Sequence, residues 1–237
     1  MHVSLVCLVT ASFCEEIANF RRWAQRISND RLVFLDETAM KVNQAPSTTL
    51  VMPGESEYVI VEDDTSYAAR YDMIGVCTGK EMLPPIVYSP ADRVSRGVDG
   101  IRSWMVNDYI EDILARAISA LDRYPMYLIV DRASAHNKDK MLEAFQNSGC
   151  EEIVEVKYMP TKSAKRLSPL DNVIWHEWKD KVRQHSPLNS SNIVSHMMTA
   201  YHSVAPNVYY RHCGLTHGQS VYKDCPSPSL HHHTASR

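Results

Sequence analysis

The chain has 237 residues, 44% of them apolar and 22% charged, with a formal net charge of −3. That length suffices for one large domain with a real core, and the composition excludes wholesale disorder. It also excludes a globally basic nucleic-acid binder, so any contact with nucleic acid must rest on a local patch.

The six cysteines (Cys7, Cys14, Cys77, Cys150, Cys213, Cys225) form no C-x-x-C pair. A reducing compartment fits this spacing better than a disulfide scaffold. His212, Cys213 and His217 in HCGLTHG are conceivable zinc ligands, but their flanks fit no common finger. No stretch reaches the roughly 20 apolar residues of a membrane span. The apolar N-terminus has no Lys or Arg ahead of it. It reads as a first strand or the end of an upstream domain rather than a signal peptide.

In chain order, Ile17, Phe20, Trp23, Ala24 and Ile27 recur at helical spacing across residues 15–28. A strand follows at 31–36 and ends on Asp36. Residues 41–66 read as loop with a short strand at 58–62. Runs 70–78 and 81–89 form a hairpin around Thr78-Gly79-Lys80, and Pro84 and Pro85 assign the second run to an edge. Residues 106–124 are the clearest helix, with Asn107 as its cap. A strand at 126–130 then delivers Asp131. A helix over 138–149 closes at Gly149, and a strand spans 152–160. A basic, Pro-containing loop covers 161–170, and helices follow at 171–185 and 189–204. Together these predict an α/β layer with a mixed sheet. The expected units are a helical lead-in at 1–29, a domain at 30–205 and a tail at 206–237.

Three acids sit at element boundaries: Asp36, Asp131 and Asp171. Ninety-four residues separate the first two and 39 the last two. Carboxylates brought together resist full ionisation unless a cation joins them, and such oxygen ligands suit Mg²⁺ or Mn²⁺. Two ions about 4 Å apart stabilise both the attacking and the leaving oxygen in phosphodiester cleavage. Taken singly, each acid has an equally ordinary structural reading as a turn or cap residue.

The three blocks carry more than the spacing does. VFLDET supplies Phe34, Asp36, Glu37 and Thr38. YLIVDRASAH supplies Asp131, Ala133 and His136. YMPTKSAKRLSPLDNVIWHEWK supplies Pro160, Pro169, Leu170 and Asp171. In this order the set resembles the catalytic domain of the mariner/pogo superfamily of transposases, over roughly residues 30–185. The resemblance implies an RNase H-like fold, a mixed β-sheet flanked by α-helices with Asp36 and Asp131 on neighbouring strands. It implies Asp36, Asp131 and Asp171 as catalytic and metal ligands, with two Mg²⁺ or Mn²⁺ ions. It implies DNA as the partner, with a homodimer as one option and no membrane. The chemistry implied is attack of water on a phosphodiester, then attack of the freed 3′-hydroxyl on target DNA.

Glu37 and His136 are supporting candidates, with salt-bridging and helix-start packing as their plainer roles. Lys162, Lys165, Arg166, Lys179 and Arg183 are the candidate nucleic-acid contacts, and Lys157 and Lys181 belong to the same basic cluster. A solvated helix face with i,i+4 pairs such as Glu177 with Lys181 is the alternative reading of that stripe. Trp175 and Trp178 read as core.

Arg132 departs from the family, which has Asn there; a cation at that position is expected to compete for Asp131. Fewer than 30 residues precede the first block, too few for a DNA-reading domain. A lone catalytic domain, a fragment, or a catalytically silent transposon-derived binding protein are the expectations that follow. A carboxylate-pair glycosidase is disfavoured by the basic third block. The compartment expected is the nucleus of a eukaryote or else the cytoplasm.

Overall fold

The computed structural model describes residues 10–44 and 68–224; the strand expected at 58–62 lies outside them. Five strands form one sheet: β1 (Leu32–Lys41), β2 (Arg70–Cys77), β3 (Met82–Tyr88), β4 (Met126–Val130) and β5 (Ile153–Tyr158), in the order β3-β2-β1-β4-β5. The β1–β2 and β2–β3 pairs are antiparallel, whereas β1–β4 and β4–β5 are parallel. This is the mixed sheet expected. The β2–β3 hairpin turns where the Thr78 hydroxyl accepts from the backbone N–H of Lys80 and Glu81. β3 is the edge that its prolines require, since Pro has no N–H for an inner ladder.

β1 is longer than the sequence suggested. It runs on to Lys41, so Asp36 lies inside the strand rather than at its end. Its parallel pairing with β4 stops at Phe34↔Ile129. Continuing that register puts Asp36 level with Asp131, where the two strands part.

Helices cover both faces. Helix α1 (Ala11–Ala24) is capped by Thr10, whose hydroxyl accepts from Phe13 N–H. Helix α2 (Pro90–Arg96), unforeseen, has a capping box of Ser89 and Asp92. Where one helix was expected over 106–124, α3 (Ser103–Tyr109) passes through a π-helical turn at Ile110–Leu114 into α4 (Ala115–Ser119). Asn107 lies within α3 and does not cap it. Helix α5 (Lys138–Asn147) is capped by Asn137. A short α6 (Ala164–Leu167) lies in the basic loop, and a second π turn at Leu170–Ile174 opens α7 (Trp175–Arg183). Helices α8 (Ile193–His202) and α9 (Asn207–His212) complete the described chain.

Two apolar cores result, one on each face of the sheet. The α3–α5 side buries Val33, Leu35, Leu128 and Phe145. The α1 and α6–α9 side buries Ile17, Phe20, Phe34, Trp178, Tyr201, Tyr210 and Leu215. Residues from both flanks of the 30–205 span therefore share one core with β1. No helix among the described residues is long and apolar enough to cross a membrane.

Candidate active site

The strand alternation that buries Phe34 on one face and Leu35 on the other leaves Asp36 with Phe34's face, toward α7. The indole N–H of Trp175 donates to Asp36 Oδ2 at 2.7 Å. Space for that indole comes from Gly75, the residue opposite Asp36 on β2. A Cβ there would run into Trp175 and Tyr201 at separations that real Cβ atoms do not show. Asp171 arrives from the π turn beside Asp36, close enough that its charge raises the Asp36 carboxyl. The extra residue of a π turn re-aims a side chain, and such turns recur at functional sites.

Asp131 follows the last residue of β4. Its Oδ1 accepts from Ala133 N–H at 2.8 Å and meets His136 Nδ1 at 2.7 Å. His136 Nε2 reaches Glu37 Oε1 at 3.0 Å. The buried imidazole thus bridges the two carboxylates that flank the Asp36–Asp171 pair.

The charges sort accordingly. Burial, then the neighbouring charges of Asp171 and Glu37, push the Asp36 carboxyl well above its ordinary range. Burial also raises Asp171, with Asp131 and Glu37 adding to the effect. Asp131 goes the other way, lowered chiefly by its hydrogen bond to His136. For His136 burial acts downward, but Asp131 and Glu37 outweigh it and lift the imidazole to about 10. At neutral pH His136 is therefore a cation, held between Asp131 and Glu37.

A cleft of about 630 Å³ opens over this cluster, lined by Glu37, Asp171, Trp175, His176, Lys179 and Arg70 among others. Lys179 is half-buried beside the acids, and burial followed by repulsion from Arg183 lowers its pKa. Arg70, which also lines the cleft, is held by the buried Asp72 at 2.5 Å, and Asp72 also pairs with Arg93 at 2.6 Å. Lys162 and Lys165 are exposed. Arg166 instead donates to Asp224 O at 2.6 Å, and Arg183 pairs with Asp180 at 3.0 Å. Glu177 pairs with Lys181 at 2.8 Å, and Asp171, not Glu177, meets Asp36. Arg132 does not compete for Asp131: its guanidinium lies over the Tyr158 ring, 5.0 Å from the centroid. Trp178 is core, whereas the buried Trp175 also holds an acid. Sequence reasoning missed Gly75, Arg70, Asp72 and His176. Only the β1–β2 register and the helix docking bring them here, and no local motif marks them.

Residues 100–205, just under half the chain, match the family model described as the DDE superfamily endonuclease. Over those residues the chain is similar to the DDE superfamily endonuclease domain. The match includes Asp131 and Asp171 and stops short of Asp36. No curated protein matches the sequence. Among solved structures the domain is similar to the Mos1 transposase paired-end complex with left transposon end. That match has a TM-score of 0.62 and 11% identity, covering 90% of this chain and 61% of that one. It is similar to a pre-cleavage Mos1 transpososome at TM-score 0.62 and 12% identity, covering 95% and 65%. It is also similar to the catalytic domain of Mos1 mariner transposase at TM-score 0.56 and 10% identity, covering 86% and 88%. At these identities the likeness establishes the fold, which is the RNase H-like one expected. The chain spans about 61% of the length of the Mos1 chain in the paired-end complex.

The donor set fits a hard divalent cation. The candidate ligands are all carboxylate oxygens, and two of them, Asp36 and Asp171, are both raised by burial and by neighbouring carboxylates. Among the described residues no three His, Cys, Asp or Glu side chains already surround one point. The pair is joined, and Asp131 is held apart by its bond to His136. The segment His212–Cys213–His217 forms no such group either, and burial pushes the Cys213 thiol up to about 12.

Proposed function

We propose that this chain is the catalytic part of a metal-dependent DNA endonuclease and strand transferase, cutting phosphodiester bonds with Asp36, Asp131 and Asp171. The observation that carries the proposal is the meeting of the Asp36 and Asp171 carboxyls, both raised by burial and by neighbouring carboxylates, beside a cleft lined by Asp171 and Glu37, with Asp131 at the end of the neighbouring strand. A cation bound there would relieve that repulsion. The Mos1 mariner paired-end complex has been solved with Mn and with Mg, which supports the same ions here, two in number in this proposal. Bound at these carboxylates, they would supply Lewis-acid stabilisation of the phosphoryl oxygens and a more acidic water.

The chain's own residues do the positioning. Trp175 fixes Asp36, and His136 fixes Asp131 and ties it to Glu37. Lys179 and Arg70 both line the cleft, where phosphate oxygens of a DNA backbone would lie. Lys162 and Lys165 extend that positive rim.

The test is nicking of supercoiled plasmid with Mg²⁺ or Mn²⁺, wild type against Asp131→Ala. Cleavage that needs the metal and disappears in the variant is expected. A folded wild-type protein that never nicks, with either ion, overturns the assignment. Calorimetric titration of Mn²⁺ into the protein reads the number of ions.

A further inference from the structure

A second concavity lies between α1 and the end of β5. It measures about 390 Å³, within the roughly 300–1,000 Å³ of small-ligand sites, and is lined by Phe20 and Trp23 of α1, Arg132 after β4, and Lys157, Tyr158 and Pro160 around the end of β5. Resting on the DNA reading above, we infer that this groove holds a nucleotide of an unpaired DNA strand, its phosphate on Arg132 and Lys157 and its base against the aromatic walls.

The placement follows from the chain. Asp131 and Arg132 are consecutive residues leaving β4. The first turns to His136 beside the catalytic cleft, and the second lines the groove. The residue that departs from the family pattern is therefore a cation delivered to a different surface.

The chemistry of the walls is that of a single-strand platform. Arg132 is exposed, lies over Tyr158 with 5.0 Å to the centroid, and forms no salt bridge among the described residues. Lys157 Nζ sits 4.5 Å from the Trp23 centroid and 3.2 Å from Glu155. Trp23 and Tyr158 are both part-exposed. Cations interleaved with aromatic faces bind unpaired nucleotides, because every unstacked base offers a π-face and every phosphate a charge. A duplex hides those base faces in its own stack. Among the described residues Glu16, at the exposed rim, is the one carboxylate lining the groove, and Arg132 has no carboxylate partner there.

The groove is also mechanically joined to the catalytic loop. The Tyr158 hydroxyl donates to the His136 carbonyl at 2.7 Å and accepts from Lys138 N–H at 3.2 Å. A strand seated on Tyr158 rests on the same piece of structure that orients Asp131.

The experiment is fluorescence anisotropy of a labelled ten-nucleotide oligothymidylate in EDTA, with a hairpin duplex of equal length as comparison. The proteins are wild type, Arg132→Ala, Arg132→Lys and Lys157→Ala. Arg132 is exposed, so its replacement leaves the fold intact. The expected result is oligothymidylate affinity about tenfold lower in Arg132→Ala and a salt dependence shallower by about 0.7 in log–log slope. Arg132→Lys restores the slope but not the full affinity, because an ammonium does not stack as a guanidinium does. The hairpin is expected to be affected less. Unchanged oligothymidylate binding in both Arg132→Ala and Lys157→Ala overturns the groove while leaving the nuclease reading to its own assay. A wild-type protein that binds no oligothymidylate also overturns it. Binding lost in Arg132→Ala by a protein that never nicks plasmid supports the groove and removes the nuclease.

Discussion

Asp36 and Asp171 are buried beside each other, and the direction of their pKa shifts makes the strain measurable. Both carboxyls are raised on folding. The native state therefore carries no penalty below the ordinary carboxyl pKa of about 3.9 and a growing one as pH climbs through the raised values. Asp171→Asn removes that penalty. In EDTA its melting temperature is expected to exceed the wild type's by several degrees at pH 8, with the gain shrinking toward pH 4, while plasmid nicking disappears. A variant no more stable than wild type at pH 8 would mean the pair is not strained. His136 supports the site from the other side. His136→Asn keeps one hydrogen bond but loses the cation between Asp131 and Glu37. Activity is expected to fall about 10–100-fold, the usual cost of losing a residue that orients a ligand; nicking rates at saturating Mn²⁺ read it.

At the scale of elements, the β1–β2 register decides the site as much as the acids do. Asp36 faces Gly75 across the ladder, Trp175 fills the space above Gly75, and its indole holds Asp36. Gly75→Ala inserts a methyl where no atom fits. Overpacking of this kind typically costs about 1–3 kcal/mol, and here it displaces the indole as well. The expected outcome is a lower melting temperature together with a higher Mn²⁺ requirement for nicking. Trp175→Phe separates the two effects, since it keeps most of the ring volume and loses the N–H. It is expected to change the metal requirement with little loss of stability. The π turn at Leu170–Ile174 belongs to the same scale: a sequence read at a period of 3.6 places a helix there and does not show the extra residue that turns Asp171 toward Asp36.

Across the whole molecule, one buried side chain joins the two ends of the described chain. Arg21 on α1 donates through Nε to Cys213 O at 2.9 Å and through Nη1 to the carbonyls of Val221 and Lys223. Its Nη2 approaches Asp224 at 3.6 Å. Ile17 and Phe20 from the same helix lie in the core beside Tyr210 and Leu215, each worth roughly 1.5–3 kcal/mol of burial. Arg21→Ala would leave several carbonyls short of a donor at about 1–3 kcal/mol each when buried. A loss near 3 kcal/mol corresponds to roughly 6–12 °C in a chain of this size. Hydrogen exchange is expected to quicken first in residues 213–224. Unchanged protection there would show that apolar packing alone holds the segment.

The sequence by itself determined the positions of the five strands and of most helices, though not of α2, α6 or α9, the edge position of β3, and which acids to watch. Those signals are local: apolar runs, proline's missing N–H, and blocks of residues in fixed order. It also placed a cation after Asp131 but could not say where that cation would point. What only the tertiary structure decided is which partners the acids meet. Trp175 on Asp36, His136 between Asp131 and Glu37, Gly75 beneath the indole, Arg70 lining the cleft, and Arg132 turned toward Tyr158 are all contacts set by strand register and helix docking. Such contacts join residues up to 139 positions apart, as Asp36 and Trp175 are. Hydrophobic periodicity carries no information about pairs so distant, because it specifies which face of an element is buried and not what lies against it.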